Sequence, residues 1–295
     1  MDEQPTSPAQ SVPTVQQVAD HLQSYPLRLP SRLMMWGPMV ALLAAVVISL
    51  VMQNQVATAV PWVLLFAVFM YLSHRARSLR RLEQQVAAVQ ELAILRRYDE
   101  ALSKTWLLLP KVSGAPTMYG RVLAFLAGCL DQLKAYEAAI VAYDHIIDQL
   151  PTQHPGSVQL RVQRTIAQLQ AQHMLDADNS LRGLRQVAQT LKNTAVGAGL
   201  RLAQLIQQVR TYHFEDAIIA ADHLVDELRP LGVEAAYGHA LLALAFHEKG
   251  ELHMHDHAQL WWSRATLLMT PAALVDRFAE LEPLTSALQA ESPHP

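Results

Sequence analysis

The chain has 295 residues, a formal net charge of -3 and 51% hydrophobic residues. So balanced a charge excludes a general nucleic-acid binder, which needs a basic face. One cysteine, Cys129, excludes an intrachain disulfide and a cysteine-based zinc site, and fits a reducing compartment.

Residues 1–32 read as a flexible cytoplasmic tail, because Met1 to Pro13 is rich in Pro, Ser, Thr and Gln. Within it, Thr14 and Gln17 have the spacing of a capping box for a short helix through His21. Val15, Val18 and Leu22 would share one face, as in a membrane-surface or docking helix. Tyr25-Pro26 to Pro30-Ser31 ends it.

Residues 33–73 carry no Asp, Glu, Lys or Arg. They form two apolar runs, 33–52 and 56–72, separated by Gln53-Asn54-Gln55. Twenty residues rise roughly 30 Å as a helix, the thickness of a bilayer core. The pattern predicts a transmembrane helical hairpin. Trp36, Trp62 and Tyr71 lie near run ends, where interfacial aromatics lie. The alternative is a pair of helices buried in a soluble core. Arg28 and Arg32 precede the first run, and His74, Arg75, Arg77, Arg80 and Arg81 follow the second. The positive-inside rule then places both termini in the cytoplasm and makes the chain a multi-pass integral membrane protein.

After residue 74 every long pattern is helical. Leu79, Leu82, Val86, Val89 and Ala93 recur at spacings of three and four. The second membrane helix either continues into this one or breaks near Ser73, and the stripe also suits a short coiled coil. Breaks follow at Pro110 to Pro116, Pro151 to Gly156, Asn193 to Gly199, Pro230 to Gly232 and Thr270-Pro271, about 35 to 45 residues apart. Each interval has room for two helices and a turn.

Gly120 to Pro151 is the clearest interval. Leu123, Leu126, Ala127 and Leu130 stripe its first helix. Tyr136, Ala139, Tyr143 and Ile146 stripe its second, with Pro151 at the end. Small Ala127 and Ala139 mark close approach, while Ala138, about 100° around, is expected to face outward. Related turns occur at Tyr98 to Ala101 and at Phe214 to Ala217. Pro110 is read as ending the first of these units early. Another unit opens at Lys249-Gly250-Glu251, with extra residues before Ala258, Trp262, Ala265 and Pro271. Residues 158–191 depart from the pattern, with Asp178 and Arg182 where a small residue and an aromatic are expected.

These residues resemble the tetratricopeptide repeat, and the resemblance covers about Leu82 to Pro271. It implies an all-α fold in which a TPR-like α-solenoid, residues 74–271, follows the hairpin. The alternative is a generic helical bundle. Residues 272–295 read as a capping helix and frayed tail, with Leu274, Phe278, Leu281 and Leu284 covering the end of the array and Pro283 interrupting it.

His247 to His257 is the one cluster that invites metal chemistry. His253, His255 and His257 are candidate ligands only in an extended segment, since on a helix alternate residues splay by about 200°. A polar inter-helix turn is the preferred reading. No dinucleotide fingerprint, phosphate loop or nucleophile elbow occurs. Asp144 and Asp148 read as a solvated pair. One of Trp261 and Trp262 is expected inside, leaving the other as a candidate anchor. The chain is therefore expected to be no enzyme and to need no cofactor.

The resemblance implies a scaffold that binds a protein or peptide client on a concave surface, with Arg121, Gln168, Gln204, Gln208 and His239 as candidate contacts. The rivals are a structural subunit of a larger membrane complex, or a homo-oligomer, and a metal-dependent hydrolase.

Overall fold

The computed structural model describes residues 12–27, 55–149, 155–191, 194–250 and 252–291. All regular secondary structure among them is helical. The chain divides into two compact units, Met1–Ile146 and Ile147–Pro295.

In the first unit, α1 (Val15–Ser24) starts with the expected capping box. The Thr14 hydroxyl accepts from the Gln17 amide, and the Gln17 side chain accepts from the Thr14 amide. Val18 and Leu22 are buried, while Val15 is exposed. The run 33–52 and the residues Gln53 and Asn54 lie outside the described residues. The run 56–72 lies in α2 (Gln55–Ile94), a single helix of 40 residues. It passes Ser73 without a break, which decides between the two readings of that junction. Phe66, Phe69, Met70 and Leu72 are more than half exposed on it. No helix among the described residues is long and apolar enough to cross a membrane. Beyond Leu72, α2 carries Arg75, Arg77, Arg80 and Arg81, and its later part packs as a soluble helix does, with Val86, Val89 and Leu92 buried.

Three helices follow: α3 (Tyr98–Val112), α4 (Pro116–Gln132) and α5 (Tyr136–Gln149). α2 packs on α3 and α4, and α3 on α4. Pro110 does not end α3, contrary to expectation. The helix runs through it to Val112, because only one backbone hydrogen bond is lost there.

The second unit repeats that plan. Its hairpins are α6 (Pro155–Gln170) with α7 (Met174–Ala188), α8 (Ala195–Arg210) with α9 (Phe214–Ile219) and α10 (Ala221–Leu228), and α11 (Ala235–Lys249) with α12 (Leu252–Leu268). Each first helix packs on its own second helix and on the next first helix. So α6 touches α7 and α8, α8 touches α9, α10 and α11, and α11 touches α12. Each second helix also touches the next first helix, as α7 does α8 and as α9 and α10 do α11. This is the packing of stacked helical hairpins.

One turn recurs through both units. Arg96, Lys134, Gln172, Tyr212 and Gly250 all have left-handed backbones. They are separated by 38, 38, 40 and 38 residues. Each amide bonds the carbonyl three residues back, at 3.1 to 3.2 Å. In the first four turns the next amide reaches five residues back, from Arg97 to Leu92, Ala135 to Leu130, His173 to Gln168 and His213 to Gln208. That pair of bonds is a Schellman motif. Five residues beyond each of the first four left-handed residues stands a fully buried alanine: Ala101, Ala139, Ala177 and Ala217.

Ala177 corrects the reading of 158–191. The small position is Ala177 and the large one Leu181, both fully buried, each one residue before Asp178 and Arg182. The unit is regular. After Gly250 the fully buried alanine is Ala258, eight residues on, so the expected extra residues form an added first turn of α12.

Ala127 and Tyr143 are buried as expected, and Tyr98, Tyr136 and Phe214 are half-buried. Pro151 lies outside the described residues. Ala138 is buried too, at 2% exposure, against the expectation that it faces outward. Both Trp261 and Trp262 are buried, so neither is an exposed anchor.

The end of the chain is α13 (Pro271–Arg277), a 3-10 turn and α14 (Glu282–Glu291), not one helix. The break falls at Phe278–Leu281, and Pro283 stands in the first turn of α14, where a missing amide costs least. Leu274, Phe278, Leu281 and Leu284 are nonetheless all buried, as a cap requires. Arg210 secures this end by donating to Glu280 Oε1 and Gln170 Oε1, each at 2.9 Å, and to the Leu169 carbonyl.

Candidate protein-binding groove

Helix α1 lies against α3 through an uncommon set of contacts. The His21 ring stacks on Trp106 with centroids 3.9 Å apart and planes 11° from parallel. His21 Nε2 is 3.2 Å from the Trp106 carbonyl oxygen, which accepts its proton. In an unbroken helix the Trp106 carbonyl would accept the amide of the residue four positions on. That residue is Pro110, which has no amide hydrogen. The proline thus leaves one carbonyl open on the side of α3, and His21 takes it. At the other end of α1, the Tyr119 hydroxyl of α4 donates to the Tyr25 carbonyl at 2.8 Å and lies 3.3 Å from His145 Nε2 on α5.

Burial lowers the His21 pKa below its ordinary 6.5, and its bond to the Trp106 carbonyl offsets part of this. The ring is therefore mainly neutral near pH 7.

Beside these contacts runs a groove of about 710 Å³, inside the range of about 300 to 1,000 Å³ for ligand sites. α1 contributes Asp20, His21 and Tyr25 to its wall, and α3 contributes Asp99, Trp106 and Leu107. Leu107 stands on the rim, 67% exposed. Among the described residues the lining holds two carboxylates and no Lys or Arg. Neither Asp20 nor Asp99 forms an ion pair among the described residues.

The candidate contacts named from the sequence differ in exposure. Arg121 is exposed on α4, in the first unit. Gln168 is buried, accepting from the Ser180 hydroxyl at 3.0 Å. Gln204 and Gln208 are half-buried on α8, and Gln204 accepts from Arg201 at 3.1 Å. His239 is buried against the Trp261 ring, with centroids 5.4 Å apart. Desolvation, then the charge of Arg264, lowers its pKa. Gln168 and His239 are thus buried because the repeat phase sets them between helices, and both ring nitrogens of His239 lack a hydrogen-bond partner among the described residues.

The histidine cluster spans an inter-helix turn: His247 and Glu248 end α11, Gly250 makes the turn, and His255 and His257 lie in the first turns of α12. His257 stacks on Phe246, centroids 5.2 Å apart, while His255 accepts from Gln259 at 3.0 Å. The side chain of His253 lies outside the described residues. No group of three metal-ligating side chains is present among the described residues. Burial pushes the Cys129 thiol up to about 11, so it stays protonated and inert.

No family model, curated protein or solved structure matches the chain. His21, Trp106 and Tyr119 were not legible as site residues. The available signal was Pro110 four residues after Trp106, on a helix whose pattern continues past it.

Proposed function

We propose that the chain is a membrane-anchored scaffold, a tetratricopeptide-like repeat protein that holds a protein or peptide partner at the cytoplasmic face. The observation that carries this reading is the left-handed turn repeated five times at near-constant spacing, with the flanking helices packed on each other at Arg96, Gln172, Tyr212 and Gly250. Repeats of this kind give extended surfaces suited to recognition, and here a groove of ligand size opens on one of them. The charge-free runs 33–52 and 56–72 support the anchor, as do the exposed Phe66, Phe69, Met70 and Leu72. In this reading those side chains meet lipid. The same exposed face also supports the second reading, a subunit whose α2 packs on other membrane helices.

Cys129 is buried, so a cysteine placed on the rim is the one reactive thiol. Leu107→Cys, carrying a photoreactive label-transfer reagent, is expected to tag a partner in native membranes that is released after extraction in a mild non-ionic detergent. A tag found only on membrane proteins that remain stoichiometric after extraction supports the second reading. No tag on any other protein overturns the scaffold.

A further inference from the structure

We infer that the groove between α1 and α3 takes a basic segment of a partner, gripping a Lys or Arg side chain by its charge and its apolar stem. This rests on the scaffold reading and names the chemistry of what is held.

Three observations converge. First, the charged groups on the lining are Asp20 from α1 and Asp99 from α3, with no Lys or Arg beside them among the described residues. Carboxylates on two separate helices, facing one cavity, attract a cation from both walls. Second, the walls between them carry the rings of His21, Tyr25 and Trp106 and the side chains of Leu102 and Leu107. A long basic side chain lays its methylenes on such surface while its head reaches a carboxylate, and a cation is also drawn to an aromatic face. Third, neither wall is complete alone: α1 supplies Asp20 and Tyr25, and it is seated there by the bond from His21 to the carbonyl that Pro110 leaves open. Seating α1 and forming the site are the same event.

The titratable groups facing His21 fit this arrangement. Asp20 lies beside it on α1, Asp99 lines the same groove from α3, and Tyr119 and His145 stand at the Tyr25 end. With His21 neutral the groove keeps its two negative charges. Protonation of His21 would cancel one of them.

The test uses the full chain in a non-ionic maltoside and a fluorescein-labelled peptide of four lysines spaced by Gly-Ser. Its Nε-acetylated twin is the comparison. By fluorescence anisotropy the lysine peptide is expected to bind at least tenfold more tightly than the acetylated one. Asp20→Asn with Asp99→Asn is expected to weaken it at least tenfold. Asp222→Asn with Asp226→Asn removes the same charge from an exposed face of α10 and is expected to change affinity less than twofold. Amide exchange of residues 15–24 should stay slow in the Asp20/Asp99 pair, which shows that α1 is still seated. Equal binding of the two peptides overturns the proposal, and so does an equal effect of the two Asn pairs. A partner tagged from Leu107→Cys that the lysine peptide fails to displace overturns it while leaving the scaffold standing.

Discussion

At the residue scale, the small positions decide how closely the helices approach. Ala139 and Ala138 are adjacent on α5, and both are buried, at 0% and 2% exposure. A leucine adds three carbons, and overpacking of that size costs about 1 to 3 kcal/mol. Ala138→Leu and Ala139→Leu are therefore both expected to lower stability by that amount. Ala272→Leu, at an exposed position of α13, should change it by about 0.5 kcal/mol or less. Chemical unfolding of the full chain in detergent checks this, and an Ala138→Leu variant as stable as Ala272→Leu would show that α5 is rotated from its place here. The sequence marked Ala139 through its spacing from the turn. It did not mark Ala138, because a helix packed on several sides buries more than one stripe.

At the element scale, α1 and α3 are coupled through Pro110. A proline inside a helix costs roughly 3 kcal/mol, yet here it leaves the Trp106 carbonyl for His21. Pro110→Ala should have two effects of opposite sign. The α3 helix becomes more stable, raising the melting temperature. The new amide competes for the Trp106 carbonyl, so amide exchange in Val15–Ser24 should become faster. Acid acts on the same contact. The seated His21 has a pKa below 6.5, so an unseated α1 binds the proton more readily. Seating is fully present above pH about 6.5 and is lost as pH falls through the lowered value. Exchange in α1 should thus accelerate between pH 7.5 and 5, and His21→Gln, which has no titrating ring, should flatten that dependence. Faster exchange at pH 7.5 than at pH 5, after correction for intrinsic rates, contradicts this account of α1.

At the scale of the whole molecule, the proposed anchor fixes where each surface points. Compartment-sensitive reporters after Met1, within Gln53 to Gln55 and after Pro295 are expected to read inside, outside, inside. Termini on opposite faces rule out the hairpin. The continuous α2 then sets a mechanical expectation for the scaffold, since no loop separates the run 56–72 from the first packed turns at Val86 and Val89. At about 1.5 Å per residue, its 40 residues make a rod of about 60 Å.

The sequence by itself determined the features that act over a few residues. These are the helical class, the capping box at Thr14, the alanines Ala101, Ala139 and Ala217, and the apolar cap at Leu274 to Leu284. Each depends on a spacing of three or four residues, which a helix turns directly into a face. Tertiary structure decided the rest. Four of the five left-handed turn residues are Arg, Lys, Gln and Tyr, so the usual glycine marker was missing and packing of the flanking helices holds the turn. The regular unit at 158–191 was hidden because its small and large positions, Ala177 and Leu181, stand one residue before those the spacing marked. The groove was hidden by distance: His21 meets Trp106, 85 positions away, and Tyr119 meets Tyr25 across 94. No local pattern encodes such pairs, because they form only when separate helices are brought together by the burial of their apolar faces.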